Sequence, residues 1–188
     1  MKQEFIAAIC LLGMIWSIVL ASAASETIEI GPARVSIETE SLGSYTIMKD
    51  TPFLEDHKKP DFTYGIYSGS LKSNDNPNQV LIEVHQMSTS NSLDTPISNK
   101  DKITGLEHCI ERSNLRSPGD DVQIEPYVID GHNGILETIN KYQENPIYIA
   151  AYSPDQENDS GTMVCIIGSD FPLDITKNIF ESIETQMV

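Results

Sequence analysis

The stretch "PIYIAAYSPDQENDSGTMVCIIG", residues 146–168, decides the fold class. Its first part alternates isoleucine with tyrosine and alanine, and its last part is an unbroken apolar run from Met163 to Ile167. Extended segments that are apolar on both faces are typical of strands inside a sheet that is covered on both sides. The polar residues 153–160 between them predict a solvated hairpin loop.

Around this pair the period of the apolar residues indicates further strands and two helices. Residues 27–40 and 79–87 alternate with period two, whereas the stripes in 98–115 and 174–187 have a helical period. Residues 52–62, "PFLEDHKKPDF", are polar and bounded by proline, which predicts a loop. We therefore expect an α/β (α+β) fold, a three-layer helix–sheet–helix sandwich with a largely antiparallel sheet. The two helical stripes consist of Ile103, Leu106, Cys109 and Ile110, and of Ile175, Ile179, Phe180, Ile183 and Met187.

The amino-terminal residues 1–23 have the pattern of an export signal. Lys2 precedes an apolar run, residues 5–20, and the small residues "ASA" at 21–23 follow it. This pattern predicts cleavage between Ala23 and Ala24 and a single domain over residues 24–188. An uncleaved amino-terminal membrane anchor is the alternative. Both interpretations place the domain outside the cytoplasm, as a secreted or extracytoplasmic protein.

The formal net charge of −16 limits the partners. An acidic surface repels phosphate backbones and anionic lipid heads, so we expect neither a nucleic acid nor, for the processed form, a membrane as a partner. Cys109 and Cys165 remain after cleavage, while Cys10 leaves with the signal. In an oxidising compartment the two can form a disulfide, although their apolar neighbours suit buried free thiols equally well.

The turn dipeptides of "IDGHNGILETI", residues 129–139, predict a hairpin whose exposed tip carries His132. No G-x-S-x-G motif and no glycine-rich phosphate loop occurs, and the histidines lack zinc spacing. Asp155, Glu157 and Asp159 alternate in the loop of residues 155–161 and are candidate calcium ligands.

Glu83 and His85 offer a different kind of candidate site. They are two residues apart on a predicted strand, so their side chains share one face of it. A carboxylate next to an imidazole can act in general acid–base chemistry. The pair therefore keeps open a secreted hydrolase with a dispersed site.

From Val122 onward the chain resembles the PsbP-like fold, which is shared by secreted prokaryotic proteins of unknown role. The resemblance is carried by "VIDGHNGILETI" (128–139), "IYIAAYSP" (147–154), "TMVCIIGSDFP" (162–172) and "TKNIFESIE" (176–184). It implies a non-catalytic binding or assembly protein. The matching motifs encode turns and packing, so no functional residue carries over from the family.

These observations predict an exported, non-enzymatic binding or assembly protein of the cell surface or extracytoplasmic space. Its expected partner is a protein or another cell-envelope component, and no cofactor is expected. The alternatives are a calcium-dependent binding module that uses the 155–161 loop, and the hydrolase built on Glu83 and His85.

Overall fold

The structure, a computed structural model, contains two antiparallel β-sheets packed face to face. It describes residues 25–58, 61–89, 106–107, 109–111, 113, 115, 121–140, 145–154 and 161–188. The predicted export signal, residues 1–23, therefore lies outside the described residues. In the part of the chain that is described, no helix combines the length and the apolar character that a membrane crossing requires.

The large sheet has eight strands. In chain order they are β3 (Tyr45–Lys49), β4 (Phe53–Lys58), β5 (Asp61–Ser73), β6 (Gln79–Thr89), β7 (Asp121–Ile129), β8 (His132–Asn140), β9 (Ile147–Tyr152) and β10 (Gly161–Ser169). Neighbouring strands follow the order β3-β5-β6-β10-β9-β8-β7, and β4 also pairs with β5. Every pairing is antiparallel.

Strands β9 and β10 lie side by side in the interior of this sheet, as their two-sided apolar pattern predicts. Met163, Cys165 and Ile167 of β10 point into one core, whereas Val164 and Ile166 point into a second core on the opposite face. Each completely buried aliphatic side chain stabilises the fold by about 1.5–3 kcal/mol relative to an exposed one. The two strands therefore support both faces of the molecule.

The second sheet covers the first core. It consists of β1 (Ser25–Ile30), β2 (Ala33–Glu38) and β11 (Glu184–Met187) in the order β1-β2-β11. Its inward side chains, Ile28, Ile30, Val35 and Ile37, are buried against the large sheet together with Phe180 of the C-terminal helix, Leu173–Glu181.

The predicted helix–sheet–helix sandwich is therefore wrong, and the fold is a β-rich sandwich of two sheets. The helical stripe was expected to continue to Met187, but the helix ends at Glu181. The backbone N–H of Ser182 bonds to the last carbonyls of the helix, and the chain then pairs with β2, Glu184 opposite Ser36. Long-range pairing outweighs the local helical period here, because β2 offers a strand edge next to the end of the helix.

A helical segment, residues 106–107 and 109–111, lies on the opposite face of the large sheet. Leu106 and Ile110 are buried in the second core, which also contains Ile135 and Ile149. Leu115 packs so closely over Gly168 that a Cβ atom there would lie 2.6 Å from its side chain. Glycine at 168 therefore lets this part of the chain approach β10.

The loop predicted for residues 52–62 is wrong as well, because β4 and β5 form a hairpin there. The register moves by one residue between β3 and β4, so that Thr51 and Pro52 together lie opposite Tyr67. This is a β-bulge, which accommodates Pro52 at the edge of a sheet. β3 and β4 thus act as one interrupted edge strand along β5.

Candidate functional site

Three hydrogen-bonded polar side chains lie on the large-sheet face that also carries Val164 and the second core. The hydroxyl of Tyr64 on β5 lies 2.6 Å from Nδ1 of His85 on β6, and Nε2 of the same ring lies 2.9 Å from Oε2 of Glu83. Their relative exposures are 7%, 1% and 0%. The two residues singled out by their spacing therefore touch each other, and Tyr64 extends the chain.

The Tyr64–His85–Glu83 network has the residue types of an acid–base system, but a substrate in solvent does not reach these buried side chains. A general base must reach the proton that it removes from a substrate. Both ring nitrogens of His85 already contact protein groups, and the whole ring is buried. A neutral imidazole has one donor and one acceptor nitrogen, and its two neighbours here, a hydroxyl and a carboxyl group, can supply a matching partner to each. The arrangement therefore fits a structural network that satisfies buried polar groups.

Glu137 is a second buried acid on the same face of the sheet, between Ile135 and Ile139 of β8. Three strand spacings separate β8 from β6, which corresponds to about 14 Å. Glu83 and Glu137 are therefore too far apart to act as a carboxylate pair on one bond.

A different polar cluster joins the β7–β8 hairpin to β11. Asp130 accepts hydrogen bonds from the backbone N–H of Thr185 at 2.8 Å and from the Tyr152 hydroxyl at 3.3 Å. The ring of His132 stacks on the ring of Tyr152, with 5.9 Å between the centroids. Instead of being an exposed tip, His132 is half-buried and helps to anchor the hairpin. Asp130, with φ 51°, and the following glycine form the predicted two-residue turn.

The Cys165 thiol lies in contact with this cluster. Burial, opposed by hydrogen bonds from Thr185 and Tyr152, raises the pKa of Cys165 to about 12. Burial, with a smaller contribution from Cys165, also raises the pKa of the Tyr152 hydroxyl. A thiol with such a high pKa is a poor nucleophile, because the thiolate is the reactive form. Cys165 is therefore a structural residue.

The two cysteines considered for a disulfide are not bonded to each other and lie on opposite faces of the large sheet. Cys165 belongs to the core under the small sheet, whereas Cys109 packs against the other core. The backbone of the sheet separates them, and the structure therefore contains no bond between them.

The calcium candidates Asp155, Glu157 and Asp159 lie outside the described residues. Across the described ranges, no three acidic, histidine or cysteine side chains converge as metal ligands would. A shallow acidic groove runs beside the C-terminal helix and is lined by Glu38, Glu40, Ser41, Asn178, Glu181 and Ser182. Its carboxylates face open solvent, so the groove has no feature of an enclosed binding site.

The β3–β4 edge of the large sheet carries a cluster of exposed apolar side chains. Ile47 and Met48 on β3 are 37% and 44% exposed, and Phe53 and Leu54 on β4 are 53% and 63% exposed. Residues 45–54 contain one lysine and one aspartate, and are thus formally neutral in a chain with a net charge of −16. Edge strands pair readily with other chains unless charge, proline or a bulge prevents it.

The opposite edge of the large sheet is protected from such pairing. Strand β7 carries Pro126 near its middle and exposes Asp121 and Glu125. By contrast, β3 contains no proline over Tyr45–Lys49, and its one charged residue, Lys49, stands at the end of the strand. Its outer edge is therefore the more suitable of the two for a partner strand.

Sequence reasoning did not pair Tyr64 with His85, and it did not single out the outer edge of β3. Tyr64 reaches His85 because β5 and β6 pair in a register that no local pattern reveals, with Ile66 opposite His85. The alternation of residues 61–73 could have indicated which face Tyr64 occupies, but not its neighbour. Comparison of the chain with family models, curated proteins and solved structures finds no match, so the resemblance to the PsbP-like fold stays a prediction.

Proposed function

We propose that the protein is an exported, non-enzymatic binding or assembly protein that joins a partner along the outer edge of β3. The observation that carries the proposal is the neutral, apolar edge with exposed Ile47 and Met48 in an otherwise acidic chain. Main-chain hydrogen bonds to an added strand would supply affinity, and the side chains beside them would supply specificity.

The character of the buried polar groups supports a binding role over a catalytic one. His85 is held on both ring nitrogens, and the thiol of Cys165 is buried with a raised pKa. Neither group is placed to attack or deprotonate a molecule that arrives from solvent. The signal pattern of residues 1–23 supports a place of action outside the cytoplasm.

A photo-cross-linking amino acid at position 47 tests the proposal, with the same amino acid at position 128 as the matched control. Val128 is 64% exposed on the protected β7 edge. In cells that naturally carry the protein, we expect a discrete cross-linked product from position 47 and none from position 128. Equal products from both positions, or none from position 47, would refute the proposal.

A further inference from the structure

We infer that the partner of the β3 edge is a second copy of this chain, and that two copies pair β3 with β3 in an antiparallel manner about a two-fold axis at Ile47. The inference depends on the proposed function and names the partner for the same edge. It follows from the backbone geometry, the side chains and the charges of residues 45–49.

The backbone of β3 presents hydrogen-bonding groups outward at alternate residues. The N–H of Asp50 bonds to the carbonyl of Ser68, and the carbonyl of Ser44 accepts from Asn74. In an antiparallel pair such residues alternate with others whose N–H and C=O point away from the partner strand. Residues 45, 47 and 49 therefore direct their backbone groups outward.

These three residues form a self-complementary set. When Ile47 lies opposite Ile47 of the second copy, Tyr45 lies opposite Lys49 and Lys49 opposite Tyr45. All outward N–H and C=O groups of the three residues then find partners, and the two large sheets become one continuous sheet. A shift by one residue would place inward-bonded residues opposite outward ones and would lose these bonds.

The side chains agree with the same register. Tyr45 packs against the core under the small sheet and donates its hydroxyl hydrogen to Glu26 at 3.1 Å. Lys49 is exposed and has no ion-pair partner among the described residues. The two-fold pairing brings Lys49 of each copy to the side of the sheet where Tyr45 and Glu26 of the other copy lie. Ile47 meets its own equivalent, which covers apolar surface on both copies.

The bulge limits the length of the interface. Beyond Asp50, residues Thr51 and Pro52 interrupt the ladder, so the paired part is restricted to about five residues from each copy. Such a contact belongs to the small, weak class of interfaces. We therefore expect reversible dimers at high local concentration.

Disulfide trapping tests the register directly. Residues in a hydrogen-bonded antiparallel pair have Cα atoms about 5.5 Å apart, which is within the range of a disulfide. In the full-length chain with Cys10→Ser and Cys109→Ser, we expect Ile47→Cys to form a covalent dimer under mild oxidation. Lys49→Cys is the matched control, because two copies of residue 49 would lie about 14 Å apart and would remain monomeric.

A non-covalent measurement accompanies the trapping. Sedimentation velocity at protein concentrations from roughly 1 µM to 1 mM should show that the parent chain passes from monomer to dimer. Ile47→Pro should remain monomeric, because proline removes an outward N–H and no hydrogen bond within the chain. An unchanged melting temperature shows that Ile47→Pro is folded. If Ile47→Pro does not fold, Ile47→Lys replaces it as the variant that should remain monomeric.

The outcomes separate the inference from the proposed function. Equal trapping at positions 47 and 49, or no trapping at either position, overturns the inference. If the photo-cross-linker at position 47 then captures a different protein, the proposed function survives with another partner. If it captures nothing, both fail.

Discussion

Replacement of Tyr64 by phenylalanine tests whether the buried Tyr64–His85–Glu83 chain is a structural network. The change removes one hydroxyl and leaves the ring in place, so the loss of packing is small. The change leaves Nδ1 of His85, which is 1% exposed, without the Tyr64 hydroxyl that lies 2.6 Å from it. A buried polar atom that loses its partner costs about 1–3 kcal/mol.

Urea unfolding followed by far-UV circular dichroism measures this cost, since the single tryptophan, Trp16, lies in the predicted signal. We expect a lower midpoint with an unchanged slope, and a melting temperature lower by about 2–4 °C per kcal/mol for a domain of this size. Tyr127→Phe is the matched control. Tyr127 is a half-buried strand tyrosine whose hydroxyl makes no hydrogen bond to the described residues. Its change should stay within about 0.5 kcal/mol.

A double-mutant cycle with His85→Leu isolates the pair itself. If the hydroxyl and the imidazole stabilise each other, the double variant should lose about 0.5–3 kcal/mol less than the sum of the two single variants. The network is refuted if Tyr64→Phe is as stable as Tyr127→Phe and if the free-energy changes of the two single variants in the cycle add up to that of the double variant. That result would return Glu83 and His85 to consideration as a catalytic pair.

Three further predictions concern the two cores and the alternative functions. Gly134→Ala should prevent stable folding, because the added Cβ would lie 2.3 Å from the carbonyl oxygen of Ala151. Gly168→Ala should also destabilise the fold, and the added substitution Leu115→Ala should restore part of the lost stability, because the new Cβ would meet the Leu115 side chain. Thermal unfolding of Gly134→Ala, Gly168→Ala and the Gly168→Ala/Leu115→Ala double variant checks both predictions. Burial raises the pKa of Cys165 from 9.0 to about 12, so the stability that this thiol contributes is complete below about pH 9 and is lost as the pH rises toward 12. The urea midpoint should therefore fall more between about pH 8 and pH 10.5 for the parent than for Cys165→Ser. Calcium at about 100 times the dissociation constant of a true site would add about 2.7 kcal/mol of stability. For the proposed function we expect an unchanged melting temperature in millimolar calcium. A clear rise in the melting temperature would favour the calcium-dependent module.

The parts of the fold that could be predicted are those that depend on local pattern. Two-sided apolar strands identified β9 and β10 as interior strands, and Asp130-Gly131 identified a hairpin turn. Each signal lies within a few neighbouring residues, where the period of side chains or the backbone preference of glycine is visible.

The second sheet could not be predicted, because its pairing is distant in sequence. Residues 184–187 continue the helical stripe of the preceding residues, yet they pair with β2, about 150 positions earlier. The hydrogen bond between Tyr64 and His85 has the same origin, since it depends on the register of two long strands. Local periodicity shows which face a residue occupies but not which strand lies next to it.

The net charge gives the inferred dimer a dependence on salt that distinguishes strand pairing from ion pairing. Two chains of formal charge −16 repel each other, and this repulsion is screened as the Debye length falls from about 30 Å at 0.01 M to about 8 Å at 0.15 M salt. The Lys49 contacts are exposed, and exposed ion pairs contribute only about 0–1 kcal/mol each. Added sodium chloride should therefore increase the dimer fraction in sedimentation velocity, since it weakens the repulsion more than the attraction. A dimer that dissociates as salt is added would show that opposite charges hold it together, and pairing of the β3 backbones would then not be the main source of its stability.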